Sequence, residues 1–174
     1  MPERSNDITR TSGSTRSTGS ALIDAGRFPA GYMLARRYRI IELLGRGGMG
    51  EVYRADDVKL QQSIALKFLV QGGVPSGDAL AGMYQKVRVA RQISHPGICR
   101  VYDVDEAEGH VFITMEYIDG ENLGMLLRRI GRLSGEKAAD IARQLCAAVG
   151  AAHDLGIIHR DLKPTNIMLD SRGR

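Results

Sequence analysis

The chain has 174 residues, of which 43% are hydrophobic and 25% are charged, a size and composition typical of one globular domain with a real core. Six arginines and three acidic residues in 1–37 account for +3 of the net charge of +4, so residues 38–174 carry only +1. A nearly neutral folded part argues against a nucleic-acid-binding domain, which would present a basic face.

The sequence shows no sign of export or of a membrane span. No apolar run is long enough to cross a bilayer, and the first residues lack the apolar core of a secretory signal. Cys99 and Cys146 each stand in an apolar run, and we expect them to be buried, reduced side chains. We therefore expect a cytoplasmic protein with no membrane segment in this chain.

The amino-terminal stretch differs in composition from the rest. Residues 1–35 are rich in Ser, Thr, Gly and Arg, and we predict a disordered tail there because such a segment buries too little apolar surface to offset its ordering entropy. The tail is either an arm that can be phosphorylated or a segment without a role. Its last residues, which include Phe28 and Leu34, are predicted to lead onto the edge of the domain.

A glycine-rich motif follows the first predicted strand, at residues 38–44. Its glycines, with Val52 two residues further on, are Gly45, Gly47 and Gly50. Glycines allow the backbone to approach phosphate oxygens closely. In dinucleotide-binding folds the same pattern opens a helix. Here the continuation at residues 52–55 is β-like, which favours a hairpin that covers phosphates.

A third strand is predicted over residues 62–70, and it places Lys67 in an apolar run. Burying an unpaired ammonium group is costly, so Lys67 either extends out of the strand into water or binds an anion. Because the glycine hairpin precedes it, phosphate is the favoured partner.

The rest of the chain alternates helices and strands. A helix is predicted from about Asp78 to Ile93, and two strands follow at about 98–106 and 111–116. Residues 117–121 have the character of a linker. A short helix then begins near Leu123, and Ser134 caps a longer one.

The motif that carries most chemical information runs from His159 to Asn166. It places a carboxylate at Asp161, a cation at Lys163 and a carboxamide at Asn166, with Pro164 between them. Because proline lacks a backbone donor and has a fixed φ, we predict a shaped loop and not a turn of helix. Carboxylate, amide and lysine in one loop are typical of phosphoryl transfer.

Together these segments resemble the eukaryotic-like protein kinase domain, in the style of the bacterial serine/threonine kinases. The resemblance rests on residues 37–40, 45–54 and 159–166. It implies an α+β, two-lobe protein-kinase-like fold. Its divisions would be an N-lobe at 36–116 with a five-stranded antiparallel sheet and one helix, a hinge at 117–121, and a truncated helical C-lobe at 122–174.

The resemblance also assigns an ATP site. The residues that would enclose adenine are Leu44, Val52, Ala65, Met115 and Met168. Backbone groups of Glu116 and Ile118 would bind the edge of adenine, and Glu121 would reach the ribose.

Phosphate and metal contacts are assigned in the same way. Gly45, Gly47 and Gly50 would cover the phosphates, and Lys67 would hold the α- and β-phosphates. Asp161 would be the catalytic base, Lys163 would meet the γ-phosphate, and Asn166 would ligate Mg²⁺. The implied substrates are ATP and a protein Ser or Thr hydroxyl, and a lysine at 163 is similar to the serine/threonine class.

Two departures from the family pattern affect the expected activity. The family pairs its strand lysine with a helix glutamate, but Lys86 stands at that position, and no Glu occurs in 72–98. The Asp-Phe-Gly segment that supplies the main Mg²⁺ ligand does not occur in the 174 residues. We therefore expect a kinase domain that is inactive as this chain, and a nucleotide-binding, pseudokinase-like interaction module is the alternative.

Overall fold

A computed structural model of the chain describes residues 26–47, 50–69 and 77–172. In chain order the elements are β1 (Met33–Leu34), β2 (Tyr38–Gly47), β3 (Gly50–Asp57), β4 (Gln62–Leu69), α1 (Gly77–Ala90), β5 (Val101–Ala107), β6 (His110–Glu116), β7 (Gly120–Asn122), α2 (Leu123–Ile130), α3 (Gly135–His153), a 3-10 turn (Pro164–Asn166) and β8 (Met168–Asp170). None of the helices in these ranges is long and apolar enough to span a bilayer.

The first six strands form one antiparallel sheet in the order β1-β2-β3-β4-β6-β5. The prediction of an α+β fold with an antiparallel sheet is confirmed, but the sheet has six strands where five were predicted. The additional strand is β1, which pairs Met33 with Arg39 and Leu34 with Tyr38. A two-residue strand is too short to show the alternation on which the prediction relied.

Core residues already occur before the predicted boundary of the tail at residue 35. Phe28 and Leu34 are buried in the main core of the sheet, because the chain from Gly26 onward runs back over one face of β2 and β3. The predicted disorder of residues 1–25 lies outside the described residues.

Buried and half-buried residues alternate along the central strands, and this alternation distinguishes the two faces of the sheet. Every second residue of β3 is buried, beginning with Glu51 and Tyr53, and the side chains between them lie on the opposite face. The buried face contains the main core, whose members are Phe28, Leu34, Tyr38, Ile40, Tyr53, Ala55, Ile64, Leu66, Phe68 and Phe112. Helix α1 packs separately, with Val87 against Val104 and Val111.

The second part of the chain is built around a small sheet and two helices. Strands β7 and β8 pair antiparallel, with Glu121 opposite Leu169, and Leu123, Ile141 and Leu169 form a third core cluster. Ser134 caps α3 as predicted, because its hydroxyl accepts a hydrogen bond from the Lys137 N–H at 3.3 Å. The predicted hinge at 117–121 overlaps β7, which already begins at Gly120.

Helix α1 ends at Ala90, three residues before the predicted end, and β5 begins at Val101. The two cysteines, which were expected to be buried, are both exposed.

Candidate functional site

The glycine-rich motif forms the predicted hairpin. Strands β2 and β3 pair up to its tip, where Gly47 lies opposite Gly50. Gly50 has a φ of 119°, a backbone conformation that residues with a side chain rarely adopt. Because a strand and not a helix follows the glycines, the dinucleotide-binding interpretation is excluded.

Four of the residues assigned to the nucleotide lie on one face of the sheet. The strand register places Val52 opposite Lys67, and Ala65 opposite Met115. Side chains of directly opposed residues point to the same face, and so do those of residues two apart. The face that carries these four residues is opposite to the face that carries the main core. Leu44 lies beside a register shift in β2 and is exposed.

Lys67 is half-buried on this face, and it makes no hydrogen bond or ion pair with any described residue. Lys86 is exposed on α1. No contact with a described residue therefore competes with an anion for the Lys67 ammonium group.

The end of β6 is fastened to the segment before β5. The Glu116 N–H donates to the Arg100 carbonyl at 2.8 Å, and the Arg100 N–H donates to the Glu116 carboxylate at 3.1 Å. The Cys99 thiol donates to the Glu116 carbonyl at 3.3 Å. A carbonyl oxygen has two lone pairs, so the Glu116 carbonyl retains capacity for one further donor.

Arg54 supports the linker after β6, and the sequence analysis missed it. Its guanidinium lies over the Tyr117 ring, 4.8 Å from the centroid, and pairs with Glu42 at 3.5 Å. The signal was the alternation of β3, which puts Arg54 on the same face as Val52. Its buried Nε has no hydrogen-bond partner.

Three predicted adenine and ribose contacts remain. Ile118 is half-buried in the linker between β6 and β7, and the other two lie in the small sheet. Glu121 is ion-paired with Arg129, so its carboxylate would have to exchange that partner to reach a ribose. Met168 is exposed on β8, opposite Asn122. Among the described residues, no hydrogen bond or ion pair joins Lys67 to the loop at 159–166.

The prediction that the loop at 159–166 contains no turn of helix is wrong, because a 3-10 turn begins at Pro164. Proline is tolerated at the first position of a helical turn, where its missing N–H would have no partner. Asn166 Nδ2 donates to the Asp161 carbonyl at 2.8 Å and to Asp161 Oδ2 at 2.9 Å. Lys163 Nζ lies 2.9 Å from Asp161 Oδ1. Arg160 has a φ of 63°, an uncommon and strained value for a residue other than glycine. The three predicted catalytic side chains are therefore brought together.

The hydrogen bond from Lys163, helped by that from Asn166, lowers the pKa of the Asp161 carboxyl below its ordinary value. Asp161 is consequently ionised at neutral pH and able to accept a proton or orient a hydroxyl group.

The donor set at Asn166 fits part of a magnesium site. Its Nδ2 is engaged by Asp161, and its Oδ1 accepts no hydrogen bond from a described residue. Amide oxygens suit Mg²⁺, which in proteins takes few side-chain ligands and is completed by water and substrate phosphates. The residues that the structure describes contain no cluster of three His, Cys, Asp or Glu able to hold a metal by themselves.

A cavity of about 460 Å³ lies elsewhere, beside Tyr38, Ile64 and Arg100, and none of its lining residues was predicted to bind a ligand. The candidate site is therefore defined by the placement of its side chains, and it does not coincide with this cavity.

Comparisons with known proteins agree with this geometry. The family model "Protein kinase domain" matches residues 38–174. The chain is 39% identical over 132 residues to the serine/threonine-protein kinase PknD of Mycobacterium tuberculosis, covering 76% of this chain and 20% of that protein. It is 37% identical over 144 residues to the probable serine/threonine-protein kinase PknB of Lactococcus lactis, covering 82% of this chain and 23% of that protein.

A crystal structure of the Mycobacterium tuberculosis PknI kinase domain is similar to this fold, with a TM-score of 0.70 and 30% identity over 84% of this chain and 59% of that chain. The chain thus spans about a fifth of the length of the curated relatives and about three fifths of that kinase domain. From the matched family model and these relatives, the chain belongs to the protein kinase domain family, in its serine/threonine class.

Proposed function

We propose that the chain binds ATP between the Val52–Lys67 face of the sheet and the segment after β6, as part of a kinase that phosphorylates Ser or Thr of a protein. The observation that carries the proposal is the cluster in which Lys163 and Asn166 both contact the Asp161 carboxylate. An ionised carboxylate beside a lysine and an amide is typical of the loop that carries out phosphoryl transfer in protein kinases.

In the proposed reaction the hydroxyl oxygen of the substrate forms a bond to the γ-phosphorus, and the bond to the β,γ-bridging oxygen of ATP breaks. Asp161 orients the hydroxyl group and receives its proton, which its ionised state at neutral pH allows. Lys163, 2.9 Å from that carboxylate, neutralises charge on the transferred group.

The sheet side of the site would hold the rest of the nucleotide. Lys67 has no carboxylate partner among the described residues, so its charge would be directed to the α- and β-phosphates. The backbone of the glycine hairpin would cover the same phosphates. Leu44, Val52, Ala65, Met115 and Met168 would contact adenine, Glu116 and Ile118 would bind its edge, and Glu121 would reach the ribose.

Asn166 would be this chain's ligand for Mg²⁺, through Oδ1. When bound with ATP, the ion would offset phosphate charge. The proposed partners are ATP and a Ser/Thr-containing protein, with no nucleic acid, and the proposed location is the cytoplasm, where ATP is available.

Nucleotide binding is tested by replacing the proposed phosphate ligand. We expect Lys67→Met to weaken ATP·Mg²⁺ binding about tenfold, because about 1.4 kcal/mol is a modest value for one charge-assisted contact. Isothermal titration calorimetry measures the change. Lys59→Met is the matched control, since it removes the same charge from an exposed turn between β3 and β4 and should leave the affinity unchanged. Equal affinities for the two variants would remove Lys67 from the site.

Phosphoryl transfer separates the kinase from the alternative, a pseudokinase-like module that binds nucleotide without chemistry. Two features favour the module: Lys67 has no carboxylate partner in the ranges that the structure describes, and Lys86 is exposed. We therefore expect no transfer of labelled phosphate from ATP to a Ser/Thr-containing protein such as casein. Transfer that Asp161→Ala abolishes would contradict the expectation and establish a kinase in this chain.

A further inference from the structure

The segment from Gly26 to Leu34, here called the N-terminal strap, is attached directly to the strand that follows the glycine hairpin. The Phe28 N–H donates to the Tyr53 hydroxyl at 3.2 Å, and the Arg27 N–H donates to Glu51 Oε2 at 3.3 Å. Glu51 and Tyr53 belong to the first half of β3, immediately after the glycine at position 50. The strap therefore contacts the hairpin that would cover phosphates close to its tip, because Glu51 and Arg46 form the residue pair next to Gly47 and Gly50.

Glu51 lies at the centre of these contacts. The residue is only 4% exposed, and both of its carboxylate oxygens are used. Oε1 accepts from Arg46 Nε at 2.8 Å and lies 2.6 Å from the second Arg46 nitrogen. Oε2 accepts from the Tyr53 hydroxyl at 2.7 Å, in addition to the Arg27 N–H. One oxygen therefore binds the hairpin, and the other binds the core and the strap.

A buried carboxylate needs this many donors. Without them the desolvation cost of the charge would favour its protonation or its movement into water. Arg46 lies opposite Glu51 across the hairpin, between Gly45 and Gly47, so their ion pair joins the two strands where glycines leave the backbone loosest. The loss of any one of these donors makes it less favourable for the Glu51 carboxylate to stay buried and ionised.

The close approach of the strap depends on Gly26. A Cβ atom at this position would lie 2.3 Å from the Tyr53 hydroxyl oxygen and 3.0 Å from the adjacent ring carbon. Tyr53 is fully buried, so its ring has little room to move aside. An alanine at position 26 must therefore displace the strap from the Tyr53 hydroxyl.

We propose that Glu51 is a positioning residue, which the N-terminal strap holds in place so that Arg46 and the glycine hairpin keep the conformation that receives nucleotide phosphates. The role in nucleotide binding rests on the proposed function. The order of the hairpin itself does not, so the two can be tested separately.

The first measurement is amide hydrogen exchange of the full chain without nucleotide. We expect Glu51→Gln and Gly26→Ala to speed exchange in residues 44–53 about tenfold, as for the loss of one charge-assisted hydrogen bond. Ala30→Ser is the control within the strap, since Ala30 is exposed, and Val87→Ala destabilises the separate cluster under α1. Unchanged exchange in both test variants, or the same local change in Val87→Ala, overturns the proposal.

The second measurement uses Arg46, whose side chain is partly exposed and whose replacement should leave the fold intact. We expect Arg46→Met to weaken ADP binding several-fold and Arg46→Lys to retain most of the affinity, because a cation still reaches Glu51. Equal losses in the two variants overturn the positioning role. If the unchanged chain binds no ADP, the proposed function fails, and hydrogen exchange still decides whether the strap and Glu51 order the hairpin.

Discussion

Replacing Phe28 by alanine should lower the free energy of unfolding by about 3–5 kcal/mol, the usual cost of truncating a buried aromatic side chain. The Phe28 ring lies with its centroid 5.0 Å from that of Tyr32, 4.9 Å from Phe68, 5.8 Å from Tyr53 and 5.4 Å from His110. Aromatic pairs at these separations add to the stabilisation from burial alone. We expect a large loss of stability because the pairing of β1 with β2 keeps the strap from moving inward to fill the space that the Phe28 ring leaves.

Chemical denaturation at several urea concentrations measures the loss. Leu60→Ala is the control, because Leu60 is 60% exposed in a turn and its truncation should cost less than about 0.5 kcal/mol. Phe28→Leu keeps most of the buried volume and should cost less than about 1.5 kcal/mol, which gives a folded variant if the alanine variant unfolds. A Phe28→Ala variant as stable as Leu60→Ala would show that the strap lies outside the core.

The strap is the part of the fold that could not be predicted from the local sequence. Strands β2 to β6 could be predicted because each is long enough to show alternation or an apolar run, whereas the three-residue β7 fell within the predicted hinge. The strap shows neither pattern over a useful length, since Pro29 and Gly31 separate Phe28 from an apolar run of only three residues at 32–34. The burial of Phe28 depends on contacts with Tyr53, Phe68 and His110, which are far away in the sequence, and local composition does not report such contacts.

The candidate site shows the same division between local and long-range information. The Asp161–Asn166 cluster was predictable because its members lie within six residues and one proline shapes the loop between them. Glu51 gave no signal, because an acidic residue in a strand is ordinarily solvated, and its burial depends on Arg46 and Arg27. The exposure of Cys99 and Cys146 was mispredicted because an apolar run does not specify which element covers it.

Replacing Asp57 by asparagine should lower stability at pH 7 by about 2–3 kcal/mol, somewhat below the range for a fully buried ion pair. Asp57 is 2% exposed, and its Oδ2 accepts from Arg37 Nε at 3.0 Å and from a second Arg37 nitrogen at 2.7 Å. Its Oδ1 accepts from the backbone N–H groups of Lys59 and Leu60. An amide would place an NH₂ group against the Arg37 guanidinium, and the 32% exposure of Arg37 moderates the cost.

The acid dependence of stability identifies the carboxylate as the cause. Burial alone would raise the pKa of Asp57, but the hydrogen bonds from Arg37 and from the Leu60 and Lys59 N–H groups outweigh it, and the pKa is lowered. A carboxyl group whose pKa is lower in the folded state stabilises the fold at pH values above its unfolded-state pKa of about 4. This stabilisation is lost as the pH falls through the folded-state pKa. The stability difference between the unchanged chain and Asp57→Asn should therefore shrink below about pH 4.

Asp56→Asn is the matched control for both measurements, because Asp56 is the neighbouring residue and is paired with Arg39 at 2.9 Å. The side chains of Asp56 and Arg39 are much more exposed than that of Asp57, so Asp56→Asn should lower the stability by no more than about 1 kcal/mol. Denaturation of the three proteins at pH 7 and at steps from pH 5 to pH 3 gives the comparison. Equal losses at the two positions, or a gap for Asp57→Asn that does not narrow in acid, would mean that the Arg37–Asp57 pair does not hold the β3–β4 turn to the start of β2.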